Sequence, residues 1–217
     1  MNESSALLDG LPAEQRLALA YARADARPLF LGLFALDSRL AQVVRSAREP
    51  ILGQLRLAWW RERLAEGTPR GGEPVLALLA PMLASGQGLS ALADGWEALL
   101  GEGPIEQTAI EHFAEGRATA YRLLARHLGA ADASAEAERA ARNWAMADLA
   151  AHLSAPEERA VAMAVAAAQD WRRPALPRAL RPLTVLHGLA RRHRGAQPLI
   201  AGPTSLGAAI RLGLLGR

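Results

Sequence analysis

Cysteine and lysine are both missing from this 217-residue chain. Without cysteine there is no disulfide, no thiolate metal site and no cysteine nucleophile, and a reducing compartment is permitted. Without lysine there is no Schiff base, no pyridoxal-phosphate attachment and no P-loop lysine, so three enzyme classes fall together. Long apolar runs are also lacking: none reaches the ~20 residues needed to cross a bilayer. The stretch Met1 to Leu11 carries acids and has no basic-then-apolar signal pattern. These absences predict a cytoplasmic protein.

What is present points to one domain. About half of the residues are apolar (51%), and a chain of this length buries roughly 70 per cent of its unfolded surface. All 25 cationic side chains are arginine, and they are unevenly placed. From Met1 to Asp170 there are 16 arginines against 22 acids, whereas from Trp171 to Arg217 there are nine arginines and no acid. A cationic, proline-punctuated segment such as 171–217 suits an anionic membrane surface through Arg172, Arg173, Arg178, Arg181, Arg191, Arg192 and Arg194. Pairing of Arg172, Arg173, Arg178 and Arg181 with acids of the preceding helices is the competing reading. Nucleic acid is not expected as a partner, because the segment has a single aromatic, Trp171, and no recognised motif.

Periodicity is helical nearly throughout. Leu29, Leu33, Leu36, Leu40 and Val43 or Val44 recur at three- and four-residue steps behind Pro28, which suits a first helical turn. Pro50 opens a second helix to about Glu66, with Leu52, Leu55 and Trp59 on one side and Leu57, Trp60 and Leu64 on a neighbouring side. So broad an apolar arc predicts packing by more than one neighbour, with both tryptophan rings buried. A loop is expected over Gly67 to Glu73. Further helices are expected at about 74–84, 89–100, 105–128, 134–153, 157–170, 182–194 and 204–215. No strand pattern interrupts them, so the fold class is all-α, a single compact bundle over 1–217.

Signals for chemistry are sparse. His112, His127, His152, His187 and His193 are scattered, with no pair at i,i+4. There is no G-x-S-x-G elbow, and Gly101 and Gly103 lack the third glycine and the strand of a dinucleotide site. The seven aspartates are never closer than twelve positions. Among acid pairs at helical spacing, Glu111 and Glu115 lie well inside a helix and are weak candidates for holding a metal.

One run carries more information. From Ala26 to Leu64 the chain reads ARPLFLGLFALDSRLAQVVRSAREPILGQLRLAWWRERL. It resembles the N-terminal helix pair of the squalene/phytoene synthase family, in particular its bacterial branch with the turn "EP" followed by "G-x-x-R-L-x-W-W-R". Here that motif is Glu49, Pro50, Gly53, Arg56, Leu57, Trp59, Trp60 and Arg61. The run FAEGRATAYRLLARHLG, from Phe113 to Gly129, resembles the family's later central helix and contains Arg117.

The resemblance implies an isoprenoid-synthase type bundle, here shortened at its C-terminal end. Catalytic members couple two prenyl diphosphates head to head, with two aspartate-rich helical motifs holding Mg²⁺ against the leaving groups. Counting back from Glu49 and Pro50, the first motif falls on Ala41, Gln42, Val43, Val44 and Arg45, none of them a carboxylate. Arg45 can contact a phosphate but repels Mg²⁺. For the second motif the nearest candidate is Asp148, with His152 four residues on.

The departure matches a divergent branch that includes the mitochondrial complex I assembly factor and its bacterial relatives. A non-catalytic protein without a cofactor is therefore expected. It would act in binding or respiratory-complex assembly at a membrane periphery, with a membrane-complex subunit as its protein partner and an isoprenoid as its ligand. The groove or motif residues are Gln42, Arg45, Arg56, Trp59, Trp60, Arg61 and Arg117. The alternative is a prenyl-diphosphate transferase with an altered metal site.

Overall fold

The computed structural model describes residues 3–67, 72–84, 88–194, 196–200 and 202–216. Within them the chain forms eleven α-helices and no strand. They are α1 (Glu3–Asp9), α2 (Ala13–Leu19), α3 (Arg27–Ser46), α4 (Pro50–Ala65), α5 (Pro74–Ala84) and α6 (Ser90–Glu97). There follow α7 (Gln107–His127), α8 (Ser134–His152), α9 (Pro156–Ala167), α10 (Arg181–His193) and α11 (Pro203–Leu215), with short 3-10 turns before α8 and α10. Residues 68–71 of the expected loop lie outside the described residues.

Local chemistry explains where the helices begin. Proline stands in the first turn of α3, α4, α9, α10 and α11, where its missing N–H costs no intrahelical bond and its fixed φ is already helical. The first two helices were not anticipated from the sequence. They are short, and α1 buries no residue, so it leaves no apolar stripe to read. Arg27 fixes the entry to α3 by donating from Nη1 to the Leu19 carbonyl at 2.6 Å.

The core is built around α7. It packs against α6 on one side and α8 on the other; α8 in turn packs on α9 and α10, while α3 lies against α5, α4 and α6. Phe30 and Phe34 of α3 meet Tyr121 of α7 and Trp144 of α8, with centroid separations of 5.7 to 6.3 Å across the three helices. Each ring is nearly or fully buried, and tilted or edge-on pairs at these distances suit the aromatic quadrupoles.

The basic segment takes part in this core. Leu180, Leu183, Val185, Leu186 and Leu189 are fully buried, and α10 packs on α8, α2 and α11. Its approach is stitched to α8. Arg139 Nη1 donates to the carbonyls of Asp170 at 2.8 Å and Arg172 at 3.2 Å, and Asn143 donates to the Asp170 carbonyl at 2.7 Å. Of the four arginines considered for pairing, Arg172 does pair, with Glu136 at 2.6 Å and Asp170 at 2.7 Å. Among the described residues, Arg173, Arg178 and Arg181 form no ion pair.

As expected, α4 packs against more than one neighbour, α6, α3 and α5, but its two sides differ, which corrects the expectation that both tryptophan rings are buried. Gly53, Leu57, Trp60 and Leu64 are buried, whereas Ile51, Leu52, Leu55 and Trp59 are exposed, Leu55 at 62% and Trp59 at 42%. Adjacent helical positions are about 100° apart, so one tryptophan turns inward and the next turns outward. Their rings still meet edge to face at 5.0 Å.

Candidate functional site

Three helices contribute one charged side chain each to the floor of a cavity of ≈ 710 Å³. Asp37 comes from α3, Arg117 from α7 and Asp148 from α8. The Arg117 guanidinium lies between the carboxylates, donating from Nη2 to Asp37 Oδ2 at 2.7 Å and from Nη1 to Asp148 Oδ2 at 2.9 Å. Trp96 Nε1 of α6 donates to the other Asp37 oxygen at 2.8 Å. The guanidinium also lies over the faces of Trp144 and Phe113, at 4.3 and 4.9 Å from their centroids. Arg117 is 2% exposed, so its charge is sustained by paired anions and ring faces in place of water.

Close helix approach makes this cluster possible. A Cβ on Gly116 would lie 2.3 Å from the Ala91 carbonyl oxygen, and one on Gly95 would lie 3.0 Å from that of Phe113. Glycine at both positions lets α6 and α7 cross nearly backbone to backbone. The residues that follow, Trp96 and Arg117, are thereby brought onto Asp37.

The surroundings set the electrostatics. Burial pushes the Asp37 carboxyl above its ordinary value, against the pull of Arg117 and the Trp96 N–H. Burial works against the Arg117 charge, yet Asp37 and then Asp148 outweigh it and hold the guanidinium above its usual value. Burial also raises Tyr121 well above the usual phenol, with the Asp37 charge adding to the effect. Glu14 of α2, over the cavity, is raised by burial and then by Asp148. Each effect follows from burial of the group itself away from bulk solvent.

Most of the remaining wall is apolar, with Leu11, Ala41, Leu99, Ile105, Phe113 and Leu149 facing the space. Two buried oxygens on it, Gln15 Oε1 and Ser38 Oγ, have no hydrogen-bond partner among the described residues. Arg39, Gln42, Arg45 and His152 sit at the exposed mouth. His152 Nδ1 lies 2.8 Å from the Asp148 carbonyl. An apolar chamber of this size with a few convergent polar groups is the usual form of a small-molecule site.

Of the residues singled out from the sequence, Gln42, Arg45 and Arg117 line this cavity, and Arg56, Trp59, Trp60 and Arg61 do not. Those four lie on α4, where Arg61 ion-pairs with Asp94 at 2.5 Å and with Glu97, both on α6. Arg56 is exposed. A Cβ on Gly53 would meet the Leu100 side chain at 2.8 Å. The "G-x-x-R-L-x-W-W-R" motif thus serves chiefly to seat α4 on α6.

Sequence reasoning passed over Asp37, the most consequential acid in the site. A lone aspartate within an apolar stripe was the available signal, since a charge on a buried face needs a partner. Its partner is eighty residues away.

The donor set does not fit the metal that the resemblance implies. Positions 41–45 carry no carboxylate, and Asp148 is already engaged by Arg117. Glu111 accepts from Gln107 at 2.7 Å, and Glu115 is ion-paired with Arg142. Among the described residues, no group of three or more histidines or acids is arranged to hold a metal ion. No described helix is long and apolar enough to cross a membrane. No protein-family model, curated protein or solved structure matches the chain.

Proposed function

We propose that this all-α protein is a non-catalytic relative of the squalene/phytoene synthases, with an isoprenoid-synthase type bundle, that holds an apolar isoprenoid-like molecule in the α3–α7–α8 cavity. The observation that carries this reading is the Arg117 guanidinium between Asp37 and Asp148. A fixed cation satisfies those carboxylates, so a divalent ion has no ligands left to recruit there, and ionisation of a diphosphate loses its electrostatic assistance. The apolar walls still offer burial to a hydrocarbon chain, at about 25 cal/mol per Å² removed from water.

The exposed stripe on α4 supports a role in assembly. Ile51, Leu52, Leu55 and Trp59 form an outward apolar face beside Arg56 and Arg63, and contiguous exposed apolar surface of this kind marks protein contacts. A subunit of a respiratory membrane complex is the partner that the family resemblance suggests.

Equilibrium binding of farnesol to the full chain, followed by tryptophan fluorescence, tests the cavity. Trp96 lines it, so a bound chain changes its emission. Ala41→Leu places a larger side chain into the chamber from α3 and is expected to weaken binding at least tenfold while the melting temperature holds. Saturable binding that ignores Ala41→Leu, or no binding at all, contradicts the proposal.

A further inference from the structure

The segment after Trp171 builds a second concavity, independent of the cavity above. It lies between α10 and α11, and its volume of ≈ 200 Å³ accommodates a phosphate-sized group. Gly188 permits the close approach of these helices, since a Cβ there would lie 2.4 Å from Leu212 Cδ1. Four arginines line the depression, Arg173, Arg191, Arg192 and Arg211, each exposed. Among the described residues, none of the four forms an ion pair. The nearby acids Glu136 and Asp170 are taken by Arg139 and Arg172.

The floor adds a second, independent indication. Thr184 and His187 also line the depression and are 4% and 1% exposed. The Thr184 hydroxyl and His187 Nε2 have no hydrogen-bond partner among the described residues. Buried polar atoms are rarely left so, because an unmade bond costs about 1–3 kcal/mol. An anion seated against this floor would accept from the hydroxyl, from the Nε2–H tautomer of the ring and from the guanidinium forks above.

What surrounds the pocket indicates the kind of anion. The outward face of α11 carries Leu206, Ile210 and Leu214, exposed at 48%, 43% and 68%. They recur every four residues and so form one ridge, which adjoins Arg211 on the same helix. A soluble phosphate has no use for an apolar ridge beside its site. A membrane surface does, since headgroup phosphate and acyl region lie side by side at an interface.

We propose that the α10–α11 pocket binds the headgroup phosphate of an anionic phospholipid while the Leu206–Ile210–Leu214 ridge enters the interface, docking the protein on a membrane surface. Flotation of the full chain with vesicles tests this, comparing phosphatidylcholine alone with phosphatidylcholine mixed with phosphatidylglycerol. The protein should float with the mixed vesicles only, and less as salt rises. Arg191→Gln combined with Arg211→Gln should weaken that binding about thirtyfold, as the loss of two interfacial cations implies. Ile210→Ser combined with Leu214→Ser should also release the protein. Both side chains are solvent-exposed, so circular dichroism and melting temperature should hold and separate lost docking from lost folding.

Inorganic phosphate and glycerol phosphate serve as soluble competitors, and should displace the vesicles weakly. Vesicle binding untouched by the arginine pair overturns the pocket. Floating unaffected by the ridge pair overturns the entry of the ridge into the interface, and tight calorimetric binding of inorganic phosphate without any vesicle binding overturns the membrane assignment in favour of a soluble anion.

Discussion

Gly116 lies against Gly95, and a Cβ added to Gly116 would come within 3.2 Å of the Gly95 Cα as well as 2.3 Å from the Ala91 oxygen. Backbone on both sides cannot step aside as a flexible side chain can. Gly116→Ala should therefore force α6 and α7 apart and cost about 1–3 kcal/mol or more in urea denaturation. Gly101→Ala is the matched control, because nothing lies within 4 Å of its added methyl, and it should be close to neutral.

Removing Arg117 should be worse than removing packing alone. Arg117→Met leaves Asp37 and Asp148, both largely buried, without their shared cation, and loss of one partner from a buried pair costs about 3–5 kcal/mol. Asp37→Asn made in that background should then cost much less than in the wild type. Chemical denaturation of the four proteins gives the coupling, and additive values would mean that the two groups do not depend on one another.

The tryptophans of α4 should separate cleanly. Trp60 is 7% exposed and Trp59 is 42% exposed. Trp60→Ala is expected to lose about 3–5 kcal/mol, whereas Trp59→Ala should lose only a fraction of that, from its contacts with the Trp60 ring and with Arg63. Thermal melts of the two variants decide the point.

These contrasts show what the amino-acid order conveys and what it does not. Prolines 28, 50, 156, 182 and 203 mark helix starts, and the periodic leucines of α3 mark a buried face, because both are local effects. The pattern on α4 contains two apolar arcs, and nothing local says which of them meets α6. The answer lies in Arg61, whose acids, Asp94 and Glu97, arrive from another helix. Arg45 and Arg117 were recognisable as cavity residues only through a family resemblance, whereas Gln42, a polar residue midway along an apolar-striped helix, was open to either a solvated or a cavity-lining place. Asp37 was not recognised at all, since its function depends on a guanidinium and an indole delivered by a crossing of two distant glycines.

Acid should loosen the attachment of the basic segment. Glu136 accepts from Arg139 Nη2 at 2.7 Å, from Arg172 Nη2 at 2.6 Å and from the Ala175 N–H at 3.4 Å. The hydrogen bond from Arg139, with that from Arg172, lowers its carboxyl to about 2. A depressed carboxyl stabilises the fold above its unfolded value and loses that contribution as pH falls through the folded one. Stability should therefore decline between about pH 4.5 and pH 2, by on the order of 1 kcal/mol from this group because solvent screens its partly exposed ion pairs. Glu136→Gln should lower stability at pH 7 and flatten that part of the profile, as measured by denaturation at a series of pH values.

The most direct test of the arginine-bridged site is pyrophosphate release. Purified protein incubated with farnesyl or geranylgeranyl diphosphate, with and without Mg²⁺, should release no more than buffer alone, and calorimetry should register no saturable Mg²⁺ binding. Metal-dependent release accompanied by a head-to-head condensation product would contradict the account, because it would require the carboxylates that Arg117 occupies to serve a cation of another kind.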